Sequence, residues 1–404
     1  MPHVIIQAAN KNDVCLLRRA LGGIKLGEVS EDDLNEALIR AANNGSTACV
    51  SALLAHGVSP DVTDIDNDTP LMLAACNNKT EVVKVLLQGG ASVNLVSDTG
   101  RTALHMASWN GHTHLVKILL GEPVDAGIAD RYGDSALMLA ALNGHVEVVR
   151  ILLDSGCDVN VRNHEKDTAI HYAVKRDYGD VVRLLVQAGA EKDYQNAWGM
   201  SPLMLAAERN CVGAIQGLLM ARVKVNLQGP AGRTALHLAA CRGNPACAAL
   251  LISHDAQPDP KDCEGRTPVM EAAYHGHTHI VRLLVRAGAD VDPIFSKEVS
   301  SCYNEPYLTD DLEMAKILLG ASSEQNVVHN LLVDPRYTED MFSSIEVLAW
   351  LRAHAYTPES LFQLCRREIR HLLRGRMHVS YSLPIPSTLK AYINMYDDVY
   401  NPKL

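Results

Sequence analysis

The histidines and cysteines are the residues of this chain best suited to chemistry, and their spacing does not assemble a reactive centre. The ten cysteines include no C-x-x-C pair, so they form neither a zinc-ligand motif nor a disulfide framework. They are Cys15, Cys49, Cys76, Cys157, Cys211, Cys241, Cys247, Cys263, Cys302 and Cys365. We find no nucleophile paired with a general base, and no glycine-rich loop that would cradle a phosphate. The sequence therefore predicts no catalytic residue, no metal site and no cofactor.

A second set of residues is suited to binding rather than to catalysis. Arg176, Arg209 and Arg242 recur every 33 residues on a chain of net charge −10. Large aromatic residues accompany them, namely Trp109, Tyr132, Trp198 and Tyr274. Tryptophan, tyrosine and arginine dominate the energetics of protein interfaces. We expect these arginines and aromatic residues to bind a target segment with acidic and apolar side chains. The competing interpretation is that the arginines pair with acids such as Glu208, and that Trp109 packs between helices.

The spacing of the arginines follows a 33-residue repeat. Its clearest copy runs from Thr102 to Leu120 and reads T-A-L-H-M-A-S-W-N-G-H-T-H-L-V-K-I-L-L. The same frame recurs without insertion or deletion at Thr69, Ser135, Thr168, Ser201, Thr234 and Thr267. Earlier copies begin at Glu36 and, in degenerate form, at His3. Nine repeats with this period and sequence motif resemble ankyrin repeats, in which each unit is a pair of helices with a hairpin loop.

Each part of the repeat predicts a structural role. Thr102 is placed to cap the first helix through its hydroxyl, and Gly111 to end that helix in a left-handed conformation. The second helix carries an apolar face at helical spacing, made of Leu115, Val116, Leu119 and Leu120. Because no repeat buries its apolar face alone, stacked repeats form the core. The sequence therefore predicts an all-α fold, an ankyrin-repeat solenoid.

The resemblance also implies roles for particular positions of the repeat. Three residues after the capping residue, methionine alternates with histidine, and the histidines are His105, His171 and His237. Ankyrin repeats use an imidazole here to tie neighbouring loops together, which implies a structural role rather than metal binding. Ankyrin stacks bind partners through their loop tips and first helices. Positions seven and eight after the cap, which include the three arginines, are therefore expected to face a target.

Composition and charge narrow the class of protein. Of the 404 residues, 47% are hydrophobic and 21% charged, as in ordinary folded proteins. A net charge of −10 argues against nucleic-acid binding, which needs a basic surface. Met1 to Lys11 resembles no signal peptide, and no apolar stretch approaches the ~20 residues of a membrane span. With scattered cysteines, these features predict a cytoplasmic protein, with the nucleus as a second compartment, and no membrane partner.

The repeat pattern divides the chain into four segments. Residues 1–293 are predicted to form nine ankyrin repeats, the first of them degenerate, and residues 294–321 a degenerate tenth. Residues 322–355 have helical periodicity without the repeat motif and are predicted to be a helical connector. Residues 356–404 contain different motifs.

The last segment resembles a SOCS box, as a small helical domain. The elongin-binding pattern of that family is matched by Ser360, Leu361, Cys365 and Ile369, and Leu364 lies on the same helical face. The cullin-selecting pattern, L-P-apolar-P, is matched by Leu383, Pro384, Ile385 and Pro386. Both patterns occur in order after an ankyrin stack, so the whole chain resembles the ankyrin-repeat and SOCS-box family.

This resemblance implies a substrate receptor of a ubiquitin ligase. The tail would bind elongin C with elongin B, its L-P-I-P segment would select cullin-5 with its RING subunit, and the repeats would hold a target protein that the sequence does not identify. A receptor of this class is not an enzyme, because it only brings other components together. The alternative is a non-catalytic ankyrin scaffold or inhibitor, in which the tail is merely a helical cap.

Overall fold

The first helix of each repeat begins at its capping residue. The computed structural model describes residues 2–22, 30–295 and 311–322, together with Ala349. Thr102 has an extended backbone, and its Oγ accepts a hydrogen bond from the His105 N–H at 3.4 Å. At the other end of this helix, Gly111 adopts φ +73°, the left-handed conformation that glycine enters without steric cost. Both roles predicted for these two residues are confirmed.

The described residues form two compact units. The first contains the described residues up to 206 and residues 213–223, and the second contains residues 207–212 and the described residues from 224 onward. The boundary crosses two helices, Pro202–Arg209 (α13) and Val212–Met220 (α14).

In the first unit, two layers of helices alternate along the chain. The first helices of its repeats are Pro2–Asn10 (α1), Glu31–Asn44 (α3), Pro70–Cys76 (α5), Ala103–Trp109 (α7), Ala136–Leu142 (α9) and Ala169–Lys175 (α11). The second helices are Val14–Gly22 (α2), Thr47–Ala55 (α4), Thr80–Gln88 (α6), Thr113–Leu120 (α8), Val146–Asp154 (α10) and Gly179–Gln187 (α12). Each first helix packs on the first helices of neighbouring repeats, and each second helix on the neighbouring second helices. This arrangement is a stack of repeats with one continuous core.

The second unit continues the same pattern. After a 3-10 turn at Pro230–Gly232, its helices are Ala235–Arg242 (α15), Pro245–Ser253 (α16), Pro268–Tyr274 (α17), Thr278–Arg286 (α18), Asp292–Phe295 (α19) and Leu312–Ala321 (α20). Helix α15 packs on α17, α16 on α18, and α18 on α20. Met314, Ala315 and Leu318 of α20 are buried in this last contact. The predicted connector 322–355 and tail 356–404 lie outside the described residues, apart from Ser322 and Ala349.

Small side chains allow the short first helices to pack closely. Ala107 in α7 and Ala140 and Ala141 in α9 are completely buried between neighbouring helices. On the second helix, Leu115, Val116 and Leu119 are buried as predicted, and Leu120 is half-buried at the edge of that face. Apart from an isolated β-bridge, the described ranges contain helices and turns without a β-strand. The prediction of an all-α fold is confirmed.

Candidate protein-binding surface

Positions seven and eight after the cap lie at the end of each first helix. The side chain at position eight donates a hydrogen bond to position seven of the preceding repeat at several points along the chain. These bonds join Asn44 to Asn10 at 3.4 Å, Asn77 to Asn43 at 2.7 Å, Asn143 to the Trp109 carbonyl at 3.0 Å, and Arg242 to Glu208 at 2.6 Å. A row of exposed polar side chains therefore links successive first helices at one edge.

Arg176 and Arg209 occupy position eight without such a bond. Both side chains are exposed, and within the described residues neither has a hydrogen-bond or ion-pair partner. In the sequence, position seven of the preceding repeat is Leu142 for Arg176 and Lys175 for Arg209, and neither side chain accepts a hydrogen bond. Their guanidinium groups keep all their donors available to a partner.

Arg242 differs from the other two arginines. Its guanidinium pairs with the Glu208 carboxylate, and this hydrogen-bonded ion pair raises the pKa of Arg242 above its ordinary value. The competing interpretation from the sequence, in which the arginines pair with acids, therefore describes Arg242. The Arg242 side chain is 59% exposed, so solvent screens this ion pair and it contributes little to stability.

In the first unit, three of the predicted aromatic residues lie beside a cation and remain partly exposed. The Arg101 guanidinium lies 5.1 Å from the centre of the Trp109 ring, whose side chain is 37% exposed. Arg131 lies 5.1 Å from the centre of the Tyr132 ring. The Tyr132 and Trp198 side chains are 53% and 54% exposed. Trp109 thus keeps an exposed face, and all three rings offer apolar area to a partner.

A buried carboxylate fixes the loop that carries Trp198. The Asn196 side chain accepts hydrogen bonds from the Trp198 and Met200 N–H groups at 3.1 and 3.0 Å and donates one to Asp167 at 2.9 Å. The other oxygen of Asp167 pairs with Lys175, whose ammonium lies 5.9 Å from the centre of the Trp198 ring. The tip of this loop is therefore held rigidly before any partner binds.

A similar network fixes the loop of Tyr132. One oxygen of Asp130 accepts from the Tyr132 and Asp134 N–H groups at 2.8 and 3.0 Å, and the other pairs with Arg101 at 3.2 Å. Asp134 in turn accepts from the Tyr172 hydroxyl at 2.8 Å. Burial raises the pKa of Asp134, and the bond from Tyr172 opposes that change.

Four of the seven predicted target-binding residues, Trp109, Tyr132, Arg176 and Trp198, belong to the first unit.

The other three, Arg209, Arg242 and Tyr274, belong to the second unit. There the Tyr274 ring is 40% exposed and meets His275 edge-on, with 5.0 Å between ring centres. The His275 Nε2 lies 3.3 Å from Cys241 Sγ. Burial and the Glu271 carboxylate raise the pKa of the Cys241 thiol, so this histidine does not activate it as a nucleophile.

Two polar residues at position four of the first helix were not among the predicted site residues. This position carries Leu139 and Leu238 in other repeats but Tyr172 and Glu271 in the repeats that begin at Thr168 and Thr267. Tyr172 binds Asp134, whereas Glu271 accepts from Arg233 at 3.0 Å and from Arg266 at 2.9 Å. A polar residue at an otherwise apolar position was the available signal.

The predicted tail sites cannot be placed in this geometry. The elongin-binding residues Leu361, Leu364, Cys365 and Ile369, and the cullin-binding residues Leu383, Pro384, Ile385 and Pro386, lie outside the described residues.

Comparison with protein families identifies both regions of the chain. Stacked helix pairs with a polar, partly aromatic edge define a repeat protein built for protein–protein interaction. A family model described as ankyrin repeats (3 copies) matches residues 5–97, 89–163, 156–229 and 203–294, and a model described as SOCS box matches residues 357–394. The chain belongs to the ankyrin-repeat and SOCS-box family. A comparison with curated proteins finds no match.

The combination of these two regions defines the general role of the chain. Ankyrin repeats followed by a SOCS box form a substrate-receptor adaptor for elongin/cullin ubiquitin ligases, and the two domains are typically non-catalytic. The SOCS box is the region that binds elongins B and C and a cullin. Among the described helices, none has the length and apolar character that a membrane span requires.

Proposed function

We propose that this chain is the substrate-recognition subunit of a cullin-5/elongin B–elongin C RING ubiquitin ligase, acting in the cytoplasm and the nucleus. Its ankyrin repeats hold a target protein, and its SOCS box binds elongin C and cullin-5. The match of the SOCS-box family to residues 357–394, behind the ankyrin repeats, carries this proposal. All eight predicted tail residues, from Leu361 to Pro386, fall within the matched range.

The choice of cullin-5 rests on the L-P-I-P segment. The sequence of this segment predicts an extended backbone, because each proline restricts its own φ and the conformation of the residue before it. In the elongin-binding half, Leu361 is a large apolar residue suited to anchoring a partner, and the side chain of Cys365 is small enough to allow a partner to approach closely. The chain itself needs no catalytic residue, because it raises the effective concentration of the target beside the charged conjugating enzyme.

The target surface that we propose has a defined chemistry. In the first unit, Arg176 offers unoccupied guanidinium donors, and Trp198 and Tyr132 offer apolar faces on loops that buried carboxylates hold in place. In the second unit, Arg209 offers a further guanidinium group with unoccupied donors. Guanidinium groups favour carboxylate or phosphate partners, and exposed aromatic rings favour apolar ones. The target that we propose is therefore a protein segment that carries both acidic and apolar residues.

Two tail variants test the ligase assignment, and each serves as the control for the other. Replacing Leu361 and Cys365 together (Leu361→Ala with Cys365→Glu) should abolish co-purification with elongins B and C and, with them, cullin-5. Replacing Leu383, Pro384 and Pro386 with alanine should release cullin-5 while both elongins remain bound. If the wild-type chain, shown to be folded by circular dichroism, binds no elongin, it is a scaffold whose tail is a cap, and the proposal fails.

A charge-reversal variant tests the target surface. Changing Arg176, Arg209 and Arg242 to glutamate should deplete a set of captured proteins at least about tenfold, since each lost charge-assisted bond is worth about 1.5–3 kcal/mol. A control variant with the same change of net charge carries Arg18→Glu, Arg150→Glu and Arg183→Glu, which lie exposed on second helices. Elongin binding should be retained in both. If the two variants capture the same proteins in equal amounts, Arg176, Arg209 and Arg242 do not contribute to target binding.

A further inference from the structure

Three metal-ligating side chains converge at one point of the second unit. Cys241 lies at position seven of one repeat, and Glu271 and His275 lie at positions four and eight of the next. The ligand atoms of these three residues all lie within 4.8 Å of one another. Cys241 Sγ is 3.3 Å from His275 Nε2, and Glu271 Oε2 is 3.7 Å from the same nitrogen.

The arrangement differs from that of a catalytic triad. In a triad, one imidazole nitrogen faces the nucleophile and the other faces the carboxylate. Here the thiol and the carboxylate both face Nε2 of His275, so the ring cannot pass a proton from one nitrogen to the other between them. Three donor atoms that all lie within 4.8 Å of one another are instead close enough to share a metal ion.

The distances agree with tetrahedral zinc. Zn–S bonds of about 2.3 Å and Zn–N and Zn–O bonds of about 2.0–2.1 Å separate tetrahedral ligand atoms by about 3.4–3.6 Å. The S–N separation found here, 3.3 Å, and the O–N separation, 3.7 Å, each differ by about 0.3 Å from the value for that pair of ligand atoms, and the thiol and carboxylate atoms lie within 4.8 Å of each other. We propose that Cys241, Glu271 and His275 bind one Zn²⁺ ion.

Neighbouring residues orient the carboxylate ligand. Oε1 of Glu271 accepts hydrogen bonds from Arg233 at 3.0 Å and from Arg266 at 2.9 Å, which leaves Oε2 to face His275. Buried Asp262 lies 2.9 Å from Arg266 and 3.6 Å from Arg233, and Glu264 lies 3.5 Å from Arg266, so both guanidinium groups are paired with carboxylates besides Glu271. Residues that hold a ligand in this way tune metal affinity strongly.

The fourth coordination position faces solvent. His277 stacks on His275 with 6.0 Å between ring centres, but its Nε2 bonds the Cys241 carbonyl at 3.2 Å and so holds the backbone of that ligand. The His275 side chain is 38% exposed, and Tyr274 beside it is exposed as well. Water or a ligand from a binding partner completes the tetrahedron, as at zinc sites that keep one position open.

The chain supplies a matched control for this site. Cys76 also lies at position seven, and it meets Asn110 of the next repeat, whose Nδ2 is 3.6 Å from Cys76 Sγ. The residue equivalent to Glu271 in that repeat is Met106. The same backbone position thus carries a thiol without the imidazole and carboxylate, and it should not bind zinc.

Cobalt substitution and zinc competition test the site in the full-length chain, bound to elongins if it needs them in solution. After removal of metal with a chelator, one equivalent of Co²⁺ should give a thiolate-to-cobalt absorption band that Zn²⁺ abolishes. Cys241→Ser should remove this band, and Cys241→Ser and His275→Gln should each weaken Zn²⁺ binding at least about tenfold. Cys76→Ser and Asn110→Ala should leave the band and the affinity unchanged.

The proposal is overturned if the wild-type chain gives no thiolate band. It is also overturned if Cys241→Ser binds Zn²⁺ as tightly as Cys76→Ser. Because His275 is exposed, His275→Gln is expected to fold, and circular dichroism checks this for every variant. Zinc binding is measured without a target or a cullin, so its outcome is independent of the proposed ligase function.

Discussion

The Nε2 atom of His171 lies 3.3 Å from the backbone carbonyl oxygen of Met200, which belongs to the loop of the next repeat. Nδ1 of the same ring accepts the Thr168 N–H at 3.2 Å, so the neutral imidazole with its proton on Nε2 satisfies both bonds. His105 and His237 make the equivalent bonds to the carbonyls of Asp134 and Arg266 at 3.2 and 3.0 Å. The histidines tie neighbouring loops together, as the family resemblance implies.

At the same position, two of the alternating methionines make an equivalent bond to the capping residue. The sulfur of Met72 accepts the Thr69 N–H at 3.5 Å, and that of Met270 accepts the Thr267 N–H at 3.4 Å. Methionine therefore replaces the acceptor function of the imidazole at the cap. It has no donor for the carbonyl of the next loop, so the histidine repeats carry one additional tie.

Replacing His105, His171 and His237 with methionine should reduce the acid sensitivity of the fold. Burial lowers the pKa of each histidine below its ordinary value of 6.5. The unfolded chain therefore takes up protons that the folded chain excludes, and the stability due to the neutral rings is lost as pH falls below about 6.5. At pH 8 the variant should be less stable by about 1 kcal/mol per lost hydrogen bond, and by pH 5 this gap should narrow. Urea unfolding across this pH range measures both effects.

A control replaces three exposed histidines, His56, His114 and His279, with glutamine. This variant should keep the pH dependence of the wild-type chain. If both triple variants have the same slope of stability against pH, the buried histidines do not cause the acid sensitivity.

Gly179→Ala should destabilise the first unit. A Cβ atom at Gly179, the first residue of α12, would lie 2.6 Å from the carbonyl oxygen of Gly213. Because this oxygen belongs to the backbone, it cannot avoid the clash by changing rotamer as a side chain could. Overpacking of this kind typically costs about 1–3 kcal/mol. Gly320→Ala is the control, because α20 has open space there and alanine favours a helix by up to about 1 kcal/mol. Denaturant midpoints should therefore move in opposite directions, and a shift in the same direction would contradict the close approach.

The sequence was sufficient to predict most of the fold. Thr102 and Gly111 mark the ends of a helix through interactions with residues close in the sequence. The repeat and its helix caps can therefore be predicted from the sequence alone. The side-chain pairs between repeats were harder to predict. Whether Arg176 stays free while Arg242 pairs with Glu208 depends on which residue lies at position seven one repeat earlier. The convergence of Cys241, Glu271 and His275 needs residues that are 30 and 34 positions apart, which no local motif signals.

Asp68→Asn should stabilise the chain at neutral and alkaline pH. Burial, reinforced by Asp64, Asp66 and Asp98, raises the pKa of Asp68 to about 6 from its ordinary value of 3.8. The stability due to its protonated form is complete below pH 3.8 and is lost as pH rises through about 6. Discounted for solvent screening, the gain for asparagine at pH 8 is about 1 kcal/mol. Chemical unfolding at pH 5 and 8 should show the gain growing with pH.

Asp167 provides the matched control, because it also precedes a capping threonine. Its carboxylate is buried and paired with Lys175. Asp167→Asn should therefore destabilise the chain, since it leaves that ammonium without its partner. A gain of stability from both substitutions would show that the charge on Asp68 is not the cause.

Tyr172→Phe should loosen the loop that carries Tyr132. The Tyr172 hydroxyl donates to both oxygens of Asp134, at 2.8 and 2.9 Å, and burial together with this carboxylate raises the pKa of the phenol. Without the hydroxyl, Asp134 keeps only the Asn163 amide as a side-chain donor among the described residues, and a buried carboxylate that loses a donor costs about 1–3 kcal/mol. Tyr178→Phe is the control, since no described residue bonds its hydroxyl, and it should change stability by less than about 0.5 kcal/mol. Thermal and urea unfolding distinguish the two variants, and equal stabilities would show that the Tyr172 hydroxyl does not support the buried network.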